Sequence, residues 1–147
     1  MRPLRSAIFI LLFLFAAVAQ GNARAIRVPS DDELFAKSDL VVIAIPSATR
    51  DTAEHVNDAF GFKGQSVVGV ETRFTVATVL KGDRSTKELT LFHYRFDKGS
   101  VPNTPMLLEF DAKQKKTFRL FLIRLPDGQY APTAGQMDAW LSVKAEK

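Results

Sequence analysis

The chain has 147 residues, contains no cysteine, and carries a formal charge of +4 from 20 basic and 16 acidic residues. The absence of cysteine excludes disulfides, thiolate metal sites and thiol catalysis. Its length suits one domain with its own hydrophobic core.

The first 25 residues have the pattern of a cleavable export signal. Two arginines precede an unbroken apolar run over residues 8–19, and a short polar stretch then ends in Ala23-Arg24-Ala25. We expect cleavage after Ala25, with Ala19 as the alternative position. Twelve apolar residues are too few for a helix across a bilayer of about 30 Å. The sequence therefore predicts a signal over 1–25, a single mature domain over 26–147, and export to the periplasm or the medium.

Removal of this signal takes away three arginines and no acid, so the formal charge of the mature chain falls from +4 to +1. Nucleic-acid binding needs a concentrated basic surface that displaces counterions from phosphates. We therefore expect no nucleic-acid partner. We also expect no stable membrane span after cleavage.

The mature chain opens with a helix signature. Ser30 and Glu33 have the spacing of a capping box, and the acids at 31–33 suit the positive end of a helix dipole. The apolar run Leu40–Ile45 follows, and its β-branched residues predict a strand covered on both faces. Pro46 is predicted to end that strand, and residues 47–66 are predicted to form a long loop.

Two alternating segments come next. Residues 88–96 are predicted to place Phe92, Tyr94 and Phe96 on one face. Residues 70–81 are likewise predicted to place five side chains on one face: Thr72, Phe74, Val76, Thr78 and Leu80. Lys81-Gly82-Asp83 lies between these segments. Glycine supplies positive φ and aspartate a side-chain acceptor, so we interpret the tripeptide as a turn and not as a recognition signal.

The second half of the mature chain predicts a further loop at 97–105 and further strands. These strands are a short one at 106–110, a long one at 118–125, a third at 129–132 after the turn at Pro126-Asp127-Gly128, and a closing one at 137–143. Together, the segments predict a mainly β fold, a five- to six-stranded antiparallel OB-like barrel with one short N-terminal helix.

The order of these features resembles the netrin-like domain, the OB-type barrel found in tissue inhibitors of metalloproteinases and in small exported bacterial proteins. The resembling stretches are FAKSDLVV at 35–42, FTVATVLKG at 74–82, and KKTFRLFL at 115–122 followed by Asp127-Gly128, and they span most of residues 30–133. The resemblance implies a barrel that acts as an exported, non-catalytic binding or interaction module of unknown ligand. An envelope or extracellular protein is the partner that we expect.

The chain also departs from that family. The inhibitors begin with a cysteine whose α-amine and carbonyl chelate the zinc of the target protease, whereas this chain has no cysteine and a predicted first residue of Ile26. Protease inhibition is therefore the alternative function, and a small secreted hydrolase is a further one.

Few residues suggest chemistry. His55, Phe60 and Phe62 lie in the predicted loop, and we predict them as binding residues at its tip; the alternative is that Phe60 and Phe62 pack the loop onto the barrel. We expect no metal site or cofactor, because one loop histidine does not supply three or four converging ligands. We also predict no catalytic residue, since Ser66 departs from the nucleophile-elbow pattern. The Phe92, Tyr94 and Phe96 row and Trp140 are interpreted as barrel core; the alternative is that they stack sugars or peptides in a groove of the barrel.

Overall fold

The structure, a computed structural model, describes residues 26–100 and 102–147. The predicted signal over 1–25 lies outside the described residues. The regular elements, in chain order, are α1 (Asp31–Lys37), β1 (Leu40–Val56), β2 (Val67–Lys81), β3 (Glu88–Phe96), β4 (Phe118–Arg124), β5 (Tyr130–Pro132) and β6 (Val143–Ala145), with 3₁₀ turns at Ala59–Gly61, Ala112–Gln114 and Ala139–Ser142. Within the described ranges, no helix has the length and apolar character needed to cross a bilayer.

Five strands form a closed barrel in the order β1-β2-β3-β5-β4, because β4 also pairs with β1. The sixth strand, β6, pairs with β4 beside the barrel. All pairings are antiparallel except that of β3 with β5, which is parallel at Leu91 and Tyr130. The predicted mainly β, OB-like barrel with one short helix is confirmed.

The helix α1 begins as its capping box predicts. Ser30 Oγ accepts from the backbone N–H of Glu33 at 3.2 Å, and the Glu33 carboxylate accepts from the Ser30 N–H at 3.0 Å. The helix packs on the outside of the barrel, where its buried Leu34 joins Val41 and Phe121 in a small cluster. One face of β1 therefore supports the helix.

The main core fills the barrel from the other face of β1. Leu40, Val42 and Ala44 are almost fully buried there, together with Phe74 of β2 and Leu91 of β3. Both faces of this part of β1 are thus covered, as the continuous apolar run predicts. Trp140 packs against this main core, which confirms its assignment.

The prediction that Pro46 ends the first strand is wrong, because β1 continues to Val56 and pairs with β2 as far as Val67. Pro46 lies where β1 no longer pairs with β4 and where the register with β2 slips before Ala48. A strand tolerates proline at such an edge or bulge, since no ladder hydrogen bond is lost on the open side. The irregular connection accordingly shrinks to residues 57–66.

The predicted faces of β2 are correct as far as Val76, which contacts the core on the same side as Phe74. Val42 is opposite Val79 and Ala44 is opposite Val76, so the register skips a residue near Ala77. Val76 and Val79 therefore both contact the core, whereas Thr78 and Leu80 are exposed. A bulge changes which side chains face inward, and simple alternation does not predict it.

Three further predictions are corrected by the structure. The predicted strand at 106–110 is irregular, and Phe110 from this segment packs edge-to-face on Phe74 at 5.0 Å and on Phe118 at 5.4 Å. The predicted strand at 137–143 is mostly a 3₁₀ turn, with β6 beginning only at Val143. The aromatic row of β3 is not core, because Leu89, Leu91 and His93 face inward and Phe92, Tyr94 and Phe96 are half-buried on the outer face.

The Lys81-Gly82-Asp83 tripeptide forms the turn that the sequence predicts. Gly82 has φ of +100°, and a Cβ atom there would lie 2.8 Å from the carbonyl oxygen of Asp39. Lys81 Nζ donates to the carbonyl oxygens of Phe35 and Ala36 at 2.7 and 3.1 Å, and so binds the C-terminal end of α1. The turn therefore supports both the helix and the start of β1.

Gly82→Ala tests this close approach, with Gly128→Ala as the matched control. Both glycines have positive φ, but a Cβ atom at Gly128 would have no heavy atom within 4 Å. We expect Gly128→Ala to lower the free energy of unfolding by about 1 kcal/mol through backbone strain alone, and Gly82→Ala to lower it by about 3 kcal/mol because the backbone of β1 must also move. Urea unfolding measures both values, and equal losses would contradict the described contact.

Candidate functional site

A polar groove crosses the outer face of β1, β2 and β3 and is bounded by the turn between β4 and β5. It consists of three adjoining depressions of about 680, 410 and 240 Å³, all of which Gln129 lines. We call this feature the outer groove. Strand side chains alternate between the two sides of the sheet, and most of those that line the groove point away from the barrel core. The core residue Leu89 also lines the depression of about 680 Å³.

Glu71 is at the centre of the outer groove and joins its two walls. Its carboxylate accepts from Gln129 Nε2 at 2.6 Å and from Arg50 Nε at 2.7 Å, so β2 is bound to the β4–β5 turn and to β1. The Gln129 hydrogen bond, followed by that of Arg50, lowers the pKa of Glu71. Glu71 is therefore an ionised acceptor at neutral pH with its orientation fixed from two sides.

Charges of both signs line the outer groove. They are the three arginines Arg50, Arg73 and Arg124 and the five acids Glu54, Glu71, Asp83, Glu88 and Asp127. Acids therefore outnumber arginines along the outer groove.

One aromatic side chain, Phe92, lines the outer groove, and two others pack beside it. The rings of Phe92 and Tyr94 pack edge-to-face with their centroids 5.2 Å apart, and Phe60 packs edge-to-face on Tyr94 at 6.0 Å. The Tyr94 hydroxyl donates to Glu54. Burial, followed by this hydrogen bond to a carboxylate, raises the pKa of Tyr94 to about 12, so the hydroxyl stays protonated and keeps donating.

The three residues predicted as a binding tip have different positions. Phe60 is half-buried against Tyr94, which agrees with the packing alternative for that side chain. His55 is exposed on β1 opposite Val68, and Phe62 is half-buried in the connection to β2. None of these three residues lines the outer groove.

His93 is the buried histidine of the core. The residue is 1% exposed, its Nε2 lies 2.9 Å from Thr72 Oγ1, and that hydroxyl lies 3.0 Å from Thr49 Oγ1. The buried Nδ1 faces the backbone of Tyr94 and Leu108 without a hydrogen bond of ordinary geometry. Burial lowers the pKa of His93 to about 4, against the opposing effect of these backbone groups.

Among the described residues, the surroundings of Ser66, His93 and Glu71 are the ones that concern catalysis. Residues 26–100 and 102–147 contain no cluster of three or more histidine and acidic side chains placed to hold a metal ion. Ser66 Oγ donates to Asn57 Oδ1 at 3.0 Å, an amide that does not act as a general base. His93 does not line the outer groove, and Glu71 is already bound to Arg50 and Gln129.

Comparison with protein-family models, with curated proteins and with solved structures found no match to this chain. The fold and the outer groove therefore carry the functional argument.

Sequence reasoning missed Arg50, Glu71 and Gln129 as site residues, and it included Phe92 only as the alternative to a core assignment. They come from three strands and a turn, and strand pairing and barrel closure alone bring them together. The alternation in β3 does place Phe92 on the face opposite Leu91, and that signal indicates the face without indicating which face is the core.

The buried His93 predicts a pH-dependent stability. Above pH 6.5 the histidine is neutral in both states. Between pH 6.5 and 4 the unfolded chain binds a proton that the folded protein does not, so stability falls as the pH falls, and below pH 4 both states are protonated. Relative to His93→Leu, we expect the protein to lose about 3 kcal/mol between pH 7.5 and 4.

Urea unfolding of both proteins at a series of pH values measures this difference, and the titration of the carboxylates cancels in it. Arg95 and Glu109 are the charged groups beside His93, in a depression of about 210 Å³, and they are identical in both proteins. Parallel stability profiles for the two proteins would contradict a buried, neutral His93.

Proposed function

We propose that the protein is an exported, non-catalytic binding module that holds an extended polar ligand in the outer groove. The observation that carries this proposal is the fixed polar centre of the groove, in which Gln129 and Arg50 hold Glu71 from two sides at 2.6 and 2.7 Å. Side chains oriented before binding lose little conformational freedom when a ligand arrives.

The shape of the groove supports a ligand longer than one small molecule. Its three depressions adjoin across β1, β2 and β3, and they remain open to solvent along the sheet. Five-stranded barrels of the OB type present this kind of surface, formed by sheet face and loops, to extended ligands.

We propose a non-catalytic role because of the chemistry of the outer groove. Glu71 is the half-buried acid at its centre, and a lowered pKa makes it a poor proton donor at neutral pH. The export part of the proposal rests on the signal pattern over 1–25. The ligand is then a component of the envelope or of the surrounding medium.

An affinity capture with four forms of the protein tests the proposal. Thr90→Trp places an indole in the two depressions that Thr90 lines, and Thr78→Trp is the control at an exposed position of β2 outside the groove. A third variant combines His55→Ala near the end of β1 with Phe62→Ala in the connection to β2. Each immobilised protein is exposed to envelope extract and culture medium from the source organism.

We expect one component to be retained by the parent protein, by Thr78→Trp and by the double alanine variant, and to be lost from Thr90→Trp. Retention by Thr90→Trp with loss from the double alanine variant would instead place the site at the predicted loop tip. Retention of nothing by any folded form would contradict a binding function. Thermal unfolding confirms that all four forms are folded.

A further inference from the structure

Phe92 leans across the neighbouring strand because Gly69 leaves room for its ring. A Cβ atom at Gly69 would lie 3.0 Å from Phe92 Cε2 and 3.1 Å from Cζ. Both distances are shorter than those of ordinary carbon contacts, so the outer edge of the ring occupies space that any other residue at 69 would fill. The ring thus covers the backbone of β2, and it lines the depression of about 410 Å³.

The position of this ring is fixed by its neighbours. Tyr94 packs edge-to-face against it, and the Tyr94 hydroxyl is bound to Glu54. The carbonyl oxygen of Phe92 accepts from Gln136 Nε2 at 2.9 Å, which holds the backbone of β3 at this point. Phe92 is therefore a preorganised apolar surface in a polar groove.

The polar groups around this ring are mainly acceptors. Glu54, Glu71 and Asp127 contribute carboxylates to the same depression, and Thr52 and Gln129 contribute a hydroxyl and an amide. Hydroxyl groups of a ligand donate well to carboxylates, and planar carboxylates and amides suit two adjacent hydroxyls at once.

The charges of the whole groove favour a neutral ligand over a charged polymer. Arg50 compensates Glu71, and Arg73 and Arg124 lie farther along the groove. A polyanion would meet carboxylates, and a polycation would meet these guanidinium groups. A neutral ligand with many hydroxyls avoids both conflicts.

We propose that the ligand is a neutral oligosaccharide, one pyranose ring of which stacks its C–H face on Phe92 while its hydroxyls bind the surrounding carboxylates and Gln129. This inference rests on the proposed function of the outer groove and names the ligand class of that site. Gly69 is a positioning residue, since it allows Phe92 to lie across β2.

Amide chemical-shift titrations of the ¹⁵N-labelled protein test the proposal. The neutral probes are hexasaccharides of β-1,4-glucose, α-1,4-glucose, β-1,3-glucose and β-1,4-N-acetylglucosamine. The charged probes are hexalysine and a hexathymidylate. We expect at least one neutral probe to shift amides of β1, β2 and β3 around the groove, with an affinity that changes little between low and high salt.

Substitutions at Phe92 and Gly69 test the stacking role of the Phe92 ring directly. Phe92→Leu keeps an apolar side chain without the aromatic face, and we expect it to weaken binding by about tenfold or more. Phe92→Trp should bind within about threefold of the parent protein. Gly69→Ala should also weaken binding, because the new methyl group displaces Phe92 or Thr52. Phe96→Leu is the control, at a half-buried outer position of β3 that does not line the groove.

Equal affinity of Phe92→Leu and the parent protein would overturn the stacking role while leaving the groove as the binding site. Binding of hexalysine or hexathymidylate in place of the hexasaccharides, or of none of the four hexasaccharides, would overturn the ligand class. In those cases the capture by the parent protein and its loss from Thr90→Trp still decides the proposed function separately.

Discussion

A short ladder, Leu40–Ala44 of β1 against Phe118–Leu122 of β4, closes the barrel, and the rest of the structure depends on it. Residues 41–44 of β1 also pair with β2, so they lie between two strands and are covered on both faces. One face contributes to the main core and the other supports α1 through Val41 and Leu34. Buried backbone groups require hydrogen-bond partners, and the closing ladder supplies them where no water reaches.

The same strand has a different role after Ala44. Its later part pairs with β2 alone, and residues 47–51 and 53–56 are exposed. The outward side chains of this part form one wall of the outer groove, and the β4–β5 turn forms the other. Closure of the barrel brings that turn to the sheet, and Gln129 of the turn can therefore donate to Glu71 of β2. The groove is therefore a consequence of closure, although none of its residues belongs to the closing ladder.

Local signals predicted the elements whose physics is local. The Ser30 capping box, the alternation of β3 and the turn at Asp127-Gly128 each depend on neighbouring residues, and each is found as predicted. The predicted end of β1 at Pro46 was wrong because a strand tolerates proline where it has an open side, and β1 has one only because β4 stops pairing with it there. The prediction that the aromatic row of β3 is core was wrong because alternation separates the two faces of a strand without indicating which face is buried. The groove could not be predicted, since its charges meet only after strands distant in sequence have paired.

Hydrogen exchange along β1 tests the division of this strand most directly. If closure is as described, the amides of Leu40–Ala44 exchange only with global unfolding, whereas several amides within residues 47–55 exchange much faster because one side of the strand has no strand neighbour. Equal exchange rates in the two parts would contradict the closed barrel. They would also remove the basis for placing the binding groove on its outer face.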